Sequence, residues 1–310
     1  MLDDHSFALC LTHDVDRPYK TYQSGYYAVA DRDPSHLLSA LPGRNPYWQF
    51  EELMALEESL DVRSAFYFLD EQNLFRDRPV RDWFDPGNWK RYAGRYDLSD
   101  PAIVDLIRDL DEGGWEVGLH GSYESYDDPE RLAGEKERIE SILGREIVGG
   151  RQHYLNLDDP DTWRHHADVG LKYDASLGSS STYGFQYGDE PLRPFGDEFV
   201  VFPLTIMEVA LPNPTEHFER AWGECQAVLD EARERDAVAT ILWHPRYFSQ
   251  RDFPGYRELY RRIVEYALSE GAWVGPPADL YAQLDHPDGY DGGSAVGGKE
   301  SEERAPTTSN

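Results

Sequence analysis

Two carboxylates two residues apart, Asp14 and Asp16, close the stretch Leu11-Thr12-His13-Asp14-Val15-Asp16, with an imidazole beside them. At a strand end such a pair leans to one side, where it can share a cation or divide two roles. The same spacing also serves turns and helix N-caps. Four further residues, His120, Arg151, Asp174 and His244, each stand directly after a short apolar run. Taken singly, each has a plain structural reading. His120 could be a satisfied strand-end histidine, Arg151 a surface partner for the acid excess, Asp174 an N-cap and His244 a turn residue before Pro245. Their coincidence at one structural position, the C-terminal ends of strands where α/β folds place their chemistry, argues instead for a single site.

The elements that must position these residues alternate strand and helix. Strands are expected at Phe7–Leu11, Ser64–Leu69, Trp115–Leu119, Ile147–Gly150, Leu171–Tyr173, Phe199–Leu204, Val238–Trp243 and Ala272–Val274. Helical spacing falls between them at Trp48–Leu60, Asp100–Glu112, Pro129–Leu143, Asp159–Val169, Thr215–Arg235, Tyr256–Leu268 and Pro277–Leu284. Continuous apolar strands bounded by amphipathic helices imply a parallel sheet covered by helices, closed into a barrel short of the eight-unit form. Two long polar, aromatic loops, Arg17–Pro46 and the one carrying Trp83, Trp89 and Tyr92, are candidates to cover a substrate. The expected organisation is one barrel over residues 1–285 and a disordered, acidic, Gly-rich tail over 286–310.

Charge excludes whole classes of partner. The 310-residue chain has 59 acidic and 30 basic side chains, a net charge of −29, so neither nucleic acid nor an anionic membrane is an expected partner. Only five of its cations are lysine, and this acid-rich, Lys-poor surface resembles that of salt-in halophilic proteins. The 41 aromatic residues supply ample core. Cys10 and Cys225 read as buried small hydrophobes and not as a disulfide. No apolar run approaches a membrane span and the N-terminus lacks the pattern of a secretory signal, so a cytoplasmic location is expected.

In order, the segments LTHDVD, GLHGSYES, GGRQHYLN, YDASLG and LWHP resemble the polysaccharide deacetylases of the NodB-homology type. The likeness spans roughly residues 7 to 285. It implies a distorted (β/α)7 barrel that hydrolyses acetyl groups from N-acetylated sugars with a bound divalent metal, usually zinc. It makes Asp14 the general base and Asp16 and His120 metal ligands. Arg151 becomes the residue that orients Asp14, His244 the general acid, and Asp174 the partner of His244. A backbone N–H near Tyr154 becomes an oxyanion donor, with Tyr154 and Tyr123 on the substrate.

One position departs from that pattern. Where the family has a second histidine, four residues after His120, this chain has Glu124. A carboxylate at i+4 can meet His120 on one helical face, giving the ligand set Asp16, His120 and Glu124. The departure equally fits weak or absent metal, since the superfamily contains metal-independent hydrolases of cyclic amides and ureides. His13 and His153 are alternative ligands. A glycoside hydrolase using Asp14 with Asp174 and a non-catalytic carbohydrate-binding relative also remain open. No nucleophile elbow or phosphate loop is present.

Overall fold

The computed structural model describes residues 4–284 apart from 31 and 41–43, so the expected tail at 286–310 lies outside the described residues. Among the described residues nine strands form one parallel sheet: β1 (Ala8–Val15), β2 (Ala65–Leu69), β3 (Glu116–Gly121), β4 (Gly149–Gln152), β5 (Tyr173–Asp174), β6 (Val200–Val201), β7 (Ile206–Met207), β8 (Val238–Leu242) and β9 (Trp273–Gly275). Eight of them run in the order β6-β5-β4-β3-β2-β1-β8-β7, and β9 pairs with β1. The curved sheet with helices around it is the distorted barrel of the polysaccharide deacetylase type. Its seam lies between β6 and β7, joined by Phe202–Thr205, where Pro203 cannot donate to a ladder. Cys10 and Cys225 are both buried and free.

β1 carries the architecture. Its residues 8–12 pair with β8 on one edge, while β9 (at 8–10) and β2 (at 12–15) share the other. Side chains alternate across the sheet, and the parity decides which residues meet. Ala8 and Cys10 pack inside the barrel with Tyr67 and Tyr173, whereas Leu9, Leu11 and Val15 pack outward against the helices. Asp14 shares the inward parity and His13 the outward one. Along β8 the same alternation turns Val238 inward and Ile241 and Trp243 outward, so the next residue, His244, returns to the interior.

Two glycines make room for this interior. A Cβ on Gly149 would stand 2.0 Å from the Tyr173 ring, and one on Gly118 would stand 2.7 Å from that of Tyr67. The bare backbones let both tyrosines fill the barrel floor, where their hydroxyls meet at 3.0 Å. Below them Glu116 accepts from the Tyr173 hydroxyl and, at 3.0 Å, from the Ala278 N–H. Burial pushes its carboxyl from 4.5 up to about 7, against the lowering effect of these hydrogen bonds.

A carboxyl whose folded pKa is raised contributes stability that is complete below pH 4.5 and lost as pH rises through about 7. At full ionisation the loss is about 3 kcal/mol. Glu135, also raised to about 7 by burial, adds to the same decline. Urea unfolding of wild type and Glu116→Gln at pH 5 and pH 8 checks this. The wild type should lose stability between the two, and the variant should lose about 2–3 kcal/mol less.

Candidate functional site

Strand parity turns Asp14, His120 and Arg151 into the barrel mouth, and strand register sets His120 beside Arg151, two residues above the level of Asp14. Arg151, wholly buried, donates from Nη1 to Asp14 Oδ1 at 2.8 Å and from Nε to the Ala175 carbonyl at 2.7 Å. His120 donates from Nδ1 to the Arg151 carbonyl at 2.9 Å, which turns its Nε2 lone pair toward Asp14 Oδ2 at 3.7 Å. Burial alone would raise the Asp14 carboxyl. The neighbouring Arg151, with the imidazoles of His120 and His244, more than offsets it and holds the group below the ordinary carboxylate value. Burial in turn lowers His120, against the pull of Asp14 and Asp16.

Asp14 and His120 line a cavity of about 660 Å³ together with Asp16, His153, His244 and Tyr154, with Arg151 buried behind Asp14. His244 enters from the end of β8, and its Nδ1 lies 2.6 Å from Glu208 Oε1. This corrects the expected pairing of His244 with Asp174. Asp174 lies fully buried under a different set, accepting from Trp163 Nε1 (3.1 Å), the Ser176 hydroxyl (2.5 Å) and the Ser176 N–H (2.9 Å), with His166 at 3.2 Å. The glycoside hydrolase reading thereby loses its second carboxylate. Glu208 directly follows the two-residue β7, too short to show a period. The signal available in the sequence was an acid right after the apolar pair Ile206-Met207.

Glu124 also stands elsewhere than expected. The chain leaves β3 as a turn and not as a helix, so i+4 geometry never forms. Its half-exposed carboxylate instead accepts from Arg78 at 2.9 and 3.1 Å and from the Tyr92 hydroxyl at 3.1 Å, with Arg131 at 3.6 Å. His13 faces the helices, with its Nε2 3.0 Å from Glu57. His153 is at the site, its ring centroid 5.1 Å from that of His120. Tyr123 stands behind Tyr154, edge to face at 5.8 Å, and is not among the residues lining the cavity. Tyr154 and Leu155 are consecutive left-handed residues (φ 63° and 55°). That conformation costs roughly 1–2 kcal/mol per residue and concentrates at functional loops.

Asp16 is surrounded by arginines that sequence reasoning missed. Arg246 donates to its Oδ1, and Arg95 Nη1 lies 3.0 Å from its carbonyl and 3.5 Å from Oδ2. Arg95 Nη2 also donates to His153 Nε2 at 3.1 Å, leaving Nδ1 to face Glu71 at 3.3 Å. Despite burial, the charges of Arg246, His244, Arg95 and Arg17 hold Asp16 well below the usual carboxylate range. His153 is lowered well below the imidazole value by burial first and by Arg95 and His120 beside it.

This donor set does not fit a divalent metal. Both Asp16 oxygens face guanidinium groups, and the His153 lone pair is spent on Arg95. No group of three or more His, Cys, Asp or Glu side chains among the described residues could hold an ion. The expected ligand set of Asp16, His120 and Glu124 is therefore not assembled. Arg95 bridges Asp16 and His153, 3.5 Å from the first and 3.1 Å from the second.

No family model and no curated protein matches the chain. Solved structures do. A Mycobacterium smegmatis protein described as a polysaccharide deacetylase is similar at TM-score 0.57 and 18% identity, over 93% of this chain and 96% of that one. Puue allantoinase gives 0.59 and 15%, over 91% of each chain. A Pseudomonas aeruginosa PAO1 protein described as a polysaccharide deacetylase gives 0.59 and 16%, over 90% of this chain and 91% of that one. At such identities the likeness is one of fold, so function has to be argued from the site. Among the described residues no helix is long and apolar enough to cross a membrane.

Proposed function

We propose that this chain is a hydrolase of non-peptide C–N bonds, removing an acyl group from an N-acylated sugar or opening a related amide without a resident metal. One observation carries the reading: a buried, arginine-held carboxylate and a carboxylate-backed histidine line the same cavity. Asp14 Oδ2 and the His120 Nε2 lone pair, 3.7 Å apart, are two acceptors with room for a donor between them. A water there is oriented by both, and Asp14 takes its proton during attack on the carbonyl carbon. The oxyanion that forms faces a site rich in guanidinium charge. His244 then delivers a proton from Nε2 to the departing nitrogen, with Glu208 stabilising the imidazolium through Nδ1. Without that proton the amine is a poor leaving group.

The test is acetate release from N-acetylated chito-oligosaccharides and ring opening of allantoin, each in molar salt with and without chelator. The reading expects turnover of at least one substrate class that chelator leaves unchanged, and a loss of about 100-fold or more in His244→Asn. A zinc-assisted deacetylase on the same residues would need Arg95 and Arg246 to leave Asp16. Turnover abolished by chelator and restored by Zn²⁺ would establish that mechanism in place of this one.

A further inference from the structure

The cavity gathers positive charge in a chain that has little to spare. Two residues on its wall, Arg17 and Lys90, form no ion pair with any carboxylate among the described residues, although acids outnumber bases 59 to 30. Arg17 donates only to neutral groups there, the Ala93 carbonyl at 3.0 Å and the Lys90 carbonyl at 2.6 Å. Lys90 extends its ammonium over the Tyr154 ring, 5.8 Å from the centroid. Behind them, Arg95 and Arg246 already saturate Asp16, and Arg151 neutralises Asp14. The acid-base pair therefore sits beside two cations that make no ion pair of their own, Arg17 sharing the Asp16 charge only at longer range, at a mouth also lined by Tyr22, Tyr26 and Tyr27. Elsewhere on the surface cations are commonly paired, as Arg76, Arg145, Arg257 and Arg261 are.

From this we infer that the substrate carries an oxyanion, a carboxylate or a phosphate, held by Arg17 and Lys90 while its amide lies between Asp14 and His244. The inference rests on the hydrolase reading for the second half of that statement and not for the first. A neutral sugar would leave both cations, one over Tyr22 and one over Tyr154, without an ion-pair partner. An acidic sugar supplies the missing charge, with an aromatic flank for its ring. Against a chain of net charge −29, these cations form a local sink that a free anion must find at short range.

The experiment compares N-acetylglucosamine, N-acetylmuramate and N-acetylglucosamine 6-phosphate as substrates of the full chain at fixed salt. The expected result is a kcat/KM at least tenfold higher for one or both acidic sugars. That preference should fall at least tenfold in Lys90→Gln and in Arg17→Gln. Which acid wins distinguishes carboxylate from phosphate. Lys90 is an exposed side chain, so its variant keeps the test open if loss of Arg17 disturbs folding. Equal rates on all three sugars, or a preference unchanged in Lys90→Gln, would overturn the anion pocket while leaving the hydrolase standing. Should none be hydrolysed, calorimetry with glucuronate, glucose 6-phosphate and glucose decides the inference by itself. Binding of an acid only, weakened in Lys90→Gln, supports it, and no preference over glucose overturns it.

Discussion

Replacing Asp14 by Asn should lower kcat/KM for C–N hydrolysis by about 10³-fold or more, because it removes the proton acceptor and keeps the shape. Asn can still accept from Arg151 Nη1 through its amide oxygen, so the 2.8 Å contact has a geometric substitute. What it lacks is charge. The Arg151 guanidinium, buried with Nη2 already lacking an acceptor, then has no counter-ion, and several kcal/mol of stability go with it. The measurement is therefore paired, with kinetics at a temperature where circular dichroism shows the variant folded. A folded Asp14→Asn that keeps more than a tenth of wild-type activity would remove Asp14 from the chemistry. The pH profile gives a second reading. Positive neighbours depress the Asp14 carboxyl below 3.8, so it stays ionised through neutrality. The acid limb of kcat/KM due to this group should lie below pH 3.8. The stabilisation from its ion pair is likewise present above its unfolded value and lost only as pH falls through the depressed folded one.

Glu57→Ala should be the most damaging substitution away from the cavity. Glu57 is fully buried between its helix (Phe50–Ser59) and the outer face of β1. It accepts from the Tyr260 hydroxyl at 2.6 Å, Trp115 Nε1 at 2.7 Å and the Ser64 hydroxyl at 2.8 Å. Alanine leaves the buried Trp115 and Ser64 donors without this acceptor, leaves the Tyr260 hydroxyl only His13 Nε2 at 3.3 Å, and opens a void. The expected cost is about 4 kcal/mol or more. Calorimetry should show Tm falling by about 10 °C. Glu57→Gln retains one acceptor oxygen and should lose clearly less. Because the network lies on the opposite side of the sheet from the cavity, the folded fraction of Glu57→Ala should keep its activity at low temperature. A Tm within 2–3 °C of wild type, a shift of about 1 kcal/mol, would mean that the network contributes little.

Asp14 and Asp16 were both visible as acids in the sequence, and both line the cavity, but Asp16 meets guanidinium groups where a cation was expected. Asp14 was legible because a strand has period two, and parity alone sends it inward while His13 goes outward to Glu57. His120, Arg151 and His244 were legible for the same reason, each at or just past a strand end. Helix limits were close wherever an amphipathic stripe and an N-terminal proline coincided, as at Pro129–Leu143. Glu208 was hidden by the brevity of β7, since two residues have no periodicity. Arg95 was hidden by distance along the chain. It sits in a long connection and reaches Asp16 from 79 residues away. Glu124 failed for a different reason. Its spacing from His120 has meaning only on a helix, and the backbone there turns, delivering the side chain to Arg78.

The edge of β1 that β9 and β2 share has a consequence for how the molecule is made. Residues 8–10 bond to 273–275 and to 238–240, so β1 waits for more than 220 further residues before its ladder is complete. Until then residues 8–10 have neither ladder partner and stand as an unpaired edge. Such long-range closure makes folding slow, and the incomplete chain is the species most exposed to association. A surface of strong like charge is well suited to that interval, keeping nascent copies apart while β1 waits for its last partner.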